Sequence, residues 1–265
     1  MNCKNCDKPL EHHAQFCDYC GAKVIDEPFT FRYVTRDFEE KYLDLDRNLL
    51  IRTLRDMVIR PQAVINGYIN GVRKRHLNLA NWLAVAITIS GLLIFVVKKF
   101  YPDSLDMSWM YTFNGANPED NPFLQNFDPE NPGESMWWME YQAVLYILGI
   151  PIYAIMSKLT FWNQKAYSYI KHIVIVGYSQ AFMSIAMAIP MLIALALGAN
   201  YLKMSYWAIL AMILFSAYVY KRIFQLTLLQ IILRTLWFAV ISIGIYIVFL
   251  IVVVIVAITL GNLFS

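Results

Sequence analysis

Charge is what this sequence has least of. Only 15% of its 265 residues are Asp, Glu, Lys or Arg, where a soluble domain carries about a quarter. The shortage excludes a disordered chain, a nucleic-acid-binding charge balance and an ordinary soluble enzyme. Cysteine is missing after Cys20, so no disulfide framework runs through the chain. The first residues have neither an apolar core nor a small-residue cleavage site, and a cleavable signal peptide is not expected. HExxH, GxSxG and P-loop patterns are also absent, which removes the commonest signatures of metalloprotease, serine hydrolase and nucleotide-binding chemistry.

What the chain has in excess is apolar surface, at 58% hydrophobic residues, and its charge is concentrated at one end. Residues 1–81 hold 13 Lys/Arg and 11 Asp/Glu, and the other 184 residues hold 9 and 8. A bilayer crossing needs about 20 residues of helix. Five stretches meet that need, at about 77–98, 136–157, 173–198, 204–221 and 235–260. The expected fold is therefore an all-α polytopic membrane protein, a five-helix transmembrane bundle (77–265) behind a polar head. Pro151 and Pro190 are expected to kink two of the helices. Small residues such as Gly177, Ser184 and Ala188 give the third a side suited to close packing. Ile223–Leu233 is apolar except for Gln225, Thr227 and Gln230; it fits an interfacial helix or an extension of the fourth span.

Cation placement predicts sidedness. With the head in the cytoplasm, Arg73, Lys74, Arg75, Lys158, Lys165, Lys171, Lys221, Arg222 and Arg234 lie near the inner face, and Lys98, Lys99 and Lys203 lie outside. The 101–135 loop carries seven acidic residues and no Lys or Arg, as suits an exported segment. A multi-pass protein of a bacterial inner (cytoplasmic) membrane, N-terminus inside and C-terminus outside, is expected.

The head (1–27) contains all four cysteines: Cys3, Cys6, Cys17 and Cys20, as two C-x2-C pairs ten residues apart. Two residues between thiolates let one tight turn aim both sulfurs at one ion. Two such knuckles complete the tetrahedral sulfur shell that zinc prefers. Gly21 lets the backbone curl behind the second knuckle. Four thiolates saturate the ion, which leaves His12 and His13 as solvated loop residues and argues for a folding role of Zn2+ rather than catalysis. The segment resembles a small prokaryotic zinc ribbon, through Phe16-Cys17-Asp18-Tyr19-Cys20-Gly21.

Residues 28–76 join head to membrane. Phe29, Phe31, Tyr33 and Thr35 alternate as in a short strand or extended linker. From Phe38 to Ile59 apolar residues recur every three or four positions among charged ones, an amphipathic helix that ends before Pro61. It suits the membrane surface or the cytoplasmic ends of the bundle. Gly67 and Gly71, four apart, permit close helix or backbone approach. Arg73, Lys74 and Arg75 fit an anionic membrane surface. The Arg60–Arg73 segment, of the form RPxxVIxGYIxGxR, resembles an uncharacterised membrane family found mainly in Bacteroidetes and known only as a domain of unknown function. His76 stands where that family usually has an aromatic, and its later proline is missing. The resemblance implies no activity. A looser topological likeness is to five-span proteins of the Yip1 type.

Chemistry in the bundle is sparse. Glu140 is the lone acidic residue of the apolar stretches. His172 and Ser179 share a helix face, but two turns separate them by about 10 Å, too far for a nucleophile–base pair. The expected role is non-enzymatic: an adaptor, scaffold or accessory subunit that engages a protein partner through the head or the acidic outer loop, with no nucleic-acid partner. A small-molecule or ion transporter is the alternative, and an intramembrane enzyme comes after it.

Overall fold

In a computed structural model of the chain, the described residues are 2–11, 14–24, 30, 47–72, 74–107, 136, 139 and 141–264. Among them the regular structure is helical, with two isolated antiparallel bridges in the head, Asn2 with Pro9 and Phe16 with Lys23. The helices are α1 (Arg47–Ile59), α2 (Pro61–Ile69), α3 (Leu79–Phe100), α4 (Gln142–Thr160), α5 (Tyr169–Ala196), α6 (Tyr201–Phe224) and α7 (Leu228–Phe264), with a 3-10 turn at Pro102–Leu105 after α3.

Among the described residues four helices are long and apolar enough to cross a membrane: Leu79–Phe100, Tyr169–Ala196, Tyr201–Phe224 and Leu228–Val248 within α7. The remaining expected span, 136–157, corresponds to α4, a shorter apolar helix. It begins at Gln142 rather than near residue 136. The strand expected over Phe29–Thr35, residues 38–46 of the amphipathic helix, and residues 108–135 of the outer loop lie outside the described residues, Thr30 excepted.

Helix ends follow from local chemistry. Pro61, which has no N–H to lose, opens α2 at its first position and so separates it from α1. The end of α2 explains the second glycine of the pair. Gly71 has φ +94°; its amide donates to Tyr68 O (3.2 Å) and the Val72 amide to Gly67 O (2.9 Å). This is a Schellman closure, which requires the left-handed residue that glycine supplies. The expected close approach of another element is not what these glycines provide. A side chain at Gly67 would meet only Val72 Cβ, at 3.8 Å.

Neither expectation for Ile223–Leu233 holds. Helix α6 stops at Phe224 because Gln225 turns left-handed (φ +53°). Thr227 and Gln230 then start α7 reciprocally. The Thr227 amide donates to Gln230 Oε1 (3.0 Å) and the Gln230 amide to Thr227 Oγ1 (3.3 Å), a capping box. The three polar residues of this stretch build the turn between two helices.

Helix α5 is the hub, packing on α3, α4, α6 and α2, while α7 packs on α4 and α6. Its contact with α3 is close because Gly177 has no side chain: a Cβ there would lie 3.0 Å from Leu79 Cδ1. Beside it, Trp82 Nε1 donates to Tyr178 O (3.2 Å) and Tyr178 Oη donates to Leu77 O (2.8 Å). These buried polar groups are therefore paired, as buried polar groups must be.

Candidate metal centre

Both knuckles are built by the same backbone device. In the first, the Cys3 amide donates to Lys8 O (2.8 Å) and the Asp7 amide to Cys3 O (2.8 Å). In the second, the Cys17 amide donates to Ala22 O (2.8 Å) and the Gly21 amide to Cys17 O (2.6 Å). The residue after each second cysteine is left-handed, Asp7 at φ +60° and Gly21 at φ +61°. Aspartate is one of the few side-chain-bearing residues that adopts this conformation readily, so Asp7 does in one knuckle what Gly21 does in the other. Its position after Cys6 was the available sequence signal.

The two turns bring all four sulfurs within 4.8 Å of one another. Across the knuckles, Cys3 Sγ lies 3.7 Å from Cys20 Sγ and Cys6 Sγ 3.7 Å from Cys17 Sγ. A disulfide would require about 2.05 Å. Four thiolates around one ion at about 2.3 Å define tetrahedron edges of about 3.8 Å, so the set fits a single metal ion. Cys3 and Cys17 are buried, and Cys6 and Cys20 partly exposed.

Crowding splits the thiols. Cys6 is drawn down by its hydrogen bond with the Lys8 backbone, but burial and the three neighbouring sulfurs push it up to about 12. At Cys20 burial acts upward, and hydrogen bonds from the Ala22 backbone, Asn5 and the neighbouring thiols bring it down to about 6. Four thiolates this close need a cation to ionise together.

Asn5 ties this cluster to the rest of the chain. Its Nδ2 donates to Cys20 Sγ (3.5 Å), and its Oδ1 accepts from the Lys74 amide (3.3 Å). The Lys74 ammonium lies where a side chain on Gly21 would begin, 2.9 Å from that position. Of the three expected membrane-surface cations, Lys74 and Arg75 are exposed, with Lys74 against the head, and Arg73 lies outside the described residues. His12, His13 and Glu140 also lie outside them.

The segment beneath the head is clamped onto the bundle. Tyr218 Oη donates to Val58 O (2.7 Å), Arg222 Nε to Gln62 Oε1 (3.3 Å) and Tyr167 Oη to Asn66 Oδ1 (3.0 Å). Helix α1 thus packs on the bundle end, one of its two expected positions. Asp56, with a side chain 1% exposed, accepts from Arg60 Nη2 (3.0 Å) and Arg55 Nη2 (3.2 Å) and lies 2.9 Å from His76 Nε2. Burial alone would raise the Asp56 carboxyl, but the hydrogen bonds from His76, Arg60 and Arg55 outweigh it and hold the group well below the usual carboxylate range. Burial lowers His76, and the Asp56 carboxylate offsets this only in part. His76 is therefore a buried partner of Asp56.

A second polar cluster joins residues that sequence spacing keeps apart. Ser157 Oγ lies 2.7 Å from His172 Nδ1 and also hydrogen-bonds Tyr220 Oη. Ser179, the residue on the same face as His172, donates to Ile175 O (2.7 Å) instead. No local pattern links positions 157, 172 and 220, because three different helices bring them together.

Residues 47–90 match the family described as "Protein of unknown function (DUF3667)". The matched stretch takes in α1, α2, the Asp56–His76 pair and the first half of α3, and includes the Arg60–Arg73 segment. No curated protein and no solved structure matches the chain.

Proposed function

We propose that the protein is a five-span inner-membrane protein whose cytoplasmic head is folded around one structural Zn2+ held by Cys3, Cys6, Cys17 and Cys20, and that it works as a non-enzymatic adaptor or accessory subunit. The observation that carries the metal reading is the convergence of four sulfurs at tetrahedral spacing. Zinc suits an all-thiolate tetrahedral set, and a set closed by four protein ligands leaves no position for a reacting water. The fifth span is α4. Its 19 residues reach about 28 Å at 1.5 Å per residue, close to the about 30 Å hydrocarbon thickness. Its Val144, Leu145, Ile147, Leu148, Ile152 and Ile155 are exposed, which suits a lipid-facing helix. The adaptor reading rests on a head fixed by Asn5 to the clamped juxtamembrane segment, where a partner bound to the head is held at a set place on the membrane.

Metal analysis of the purified full-length protein tests the centre. One zinc per chain is expected, and Cys3→Ser with Cys17→Ser abolishes it. Stoichiometric zinc in that double variant removes the assignment. A mild-detergent pulldown tests the role: a stable stoichiometric partner supports the adaptor, whereas turnover or transport by the isolated protein in liposomes overturns it.

A further inference from the structure

A cavity of about 110 Å3 lies between α4, α5, α6 and α7. Its polarity is graded along two of its walls, those of α4 and α6. On α4 the lining runs from Thr160, the last helical residue, through Ser157 to Tyr153. On α6 it runs from Tyr220 through Ser216 to Met212 and Ile213. On α7 Arg234 and Thr235 lie between Ile231, nearer the helix start, and Phe238, one turn deeper. Both gradients point the same way, from the bundle end that carries Lys158, Lys221 and Arg222 toward the middle of the membrane, and Arg234 stands on the α7 wall beside them. A site polar at the headgroup level and apolar below it is matched to an amphiphile.

The charge in this cavity is one-sided. Arg234 is its cation and no carboxylate lines it. The guanidinium donates through Nη1 to Thr160 O (2.6 Å) and sits 6.0 Å above the Phe161 ring. Those contacts use one of five N–H donors, and among the described residues no acidic group pairs with it. Arginine cannot shed its proton, and a cation at the edge of the hydrocarbon calls for an anion. Ser157 cannot supply a counter-charge, and its hydroxyl is already engaged by His172 and Tyr220.

We propose that this cavity binds a phospholipid through its phosphate. Arg234 contacts the phosphate, the Ser216 hydroxyl one turn deeper meets the ester region, and the acyl chains leave along Met212, Ile213 and Phe238. The size fits that division. Pockets that engulf a drug-sized ligand begin at about 300 Å3, so this one holds a head and leaves the tails in the bilayer. The site rests on the membrane reading alone and is independent of the metal centre.

Native mass spectrometry of the full-length protein, with added phosphatidylglycerol, diacylglycerol or inorganic phosphate in separate arms, tests the proposal. One phosphatidylglycerol per chain is expected to survive activation that strips other lipids, with diacylglycerol lost and inorganic phosphate not retained. Arg234→Gln is expected to weaken retention at least ten-fold. Because that change also removes the bond to Thr160, Ile213→Trp provides a second variant, which keeps the cation, fills the apolar end and is expected to displace the lipid as well. Equal retention in wild type and both variants overturns the site. Diacylglycerol held as firmly as phosphatidylglycerol overturns the role of the phosphate, and inorganic phosphate retained as firmly as the lipid overturns the lipid in favour of a free anion.

Discussion

Asp56 and His76 meet at 2.9 Å with both side chains buried, 20 residues apart in sequence, and so close α1 onto the chain just before α3. The neighbouring Thr53 reinforces the closure: its hydroxyl donates to Leu49 O (2.7 Å) and accepts from the Leu77 amide (3.0 Å). The turn that delivers the chain into its first long apolar helix is thus fixed by side chains of the preceding helix.

Removal of the carboxylate leaves His76 buried without its partner. Asp56→Ala is expected to destabilise by about 1–3 kcal/mol, the cost of an unsatisfied buried polar group. Asp56→Asn, which keeps an acceptor, is expected to cost less. Thermal unfolding in detergent reads both.

The same pair makes stability fall on acidification. His76 titrates below its ordinary value in the folded protein, so the unfolded chain binds more protons as pH drops below about 6.5. The stabilisation is complete above that point and is lost as pH falls. Asp56, also lowered, adds a further loss in the carboxylate range near about 4. Tm measured from pH 8 to pH 5 is expected to decline in the wild type and to flatten in His76→Gln; an unchanged slope in that variant refutes the assignment.

Asn5 is expected to separate metal binding from docking. In Asn5→Leu the zinc content stays at the wild-type level, since the four sulfurs remain, while the Lys74 amide loses its acceptor. Hydrogen exchange of the 70–77 region is expected to rise in the variant, and to rise likewise when a chelator removes metal from the wild type. Chelation should leave the Tm of the apolar bundle unchanged.

Two glycines are expected to respond with opposite signs. Gly177→Val puts atoms where Leu79 already packs and is expected to cost about 1–3 kcal/mol as overpacking. Gly67→Ala, with room for a methyl, is expected to stabilise α2 by about 0.4–1 kcal/mol through the unfolded chain.

Much of the site was legible in local spacing. Cys3, Cys6, Cys17 and Cys20 each lie two residues from a partner, and the geometry of a tight turn alone sets the direction of both sulfurs. The capping box at Thr227 and Gln230 and the left-handed position at Asp7 were equally local. Neither declares itself, because polar residues beside a membrane span suit an interface as well as a cap, and because aspartate takes the left-handed conformation less often than glycine does. The role of Asn5 was not legible, since nothing in residues 2–11 indicates that position 74 returns to meet them.

By itself the sequence determined the helical, membrane-suited class of the protein and the four-sulfur cluster, because hydrophobic run length and C-x2-C spacing act over a few turns of chain. Tertiary structure alone decided that Ser157 takes His172 and Tyr220 as its partners while Ser179 does not reach His172, that Asp56 takes His76, and that Arg234 faces a cavity without a carboxylate. Those relationships are set by which helix faces meet. An apolar helix with little amphipathic contrast does not declare its buried face in advance. Close packing around small residues such as Gly177 settles it.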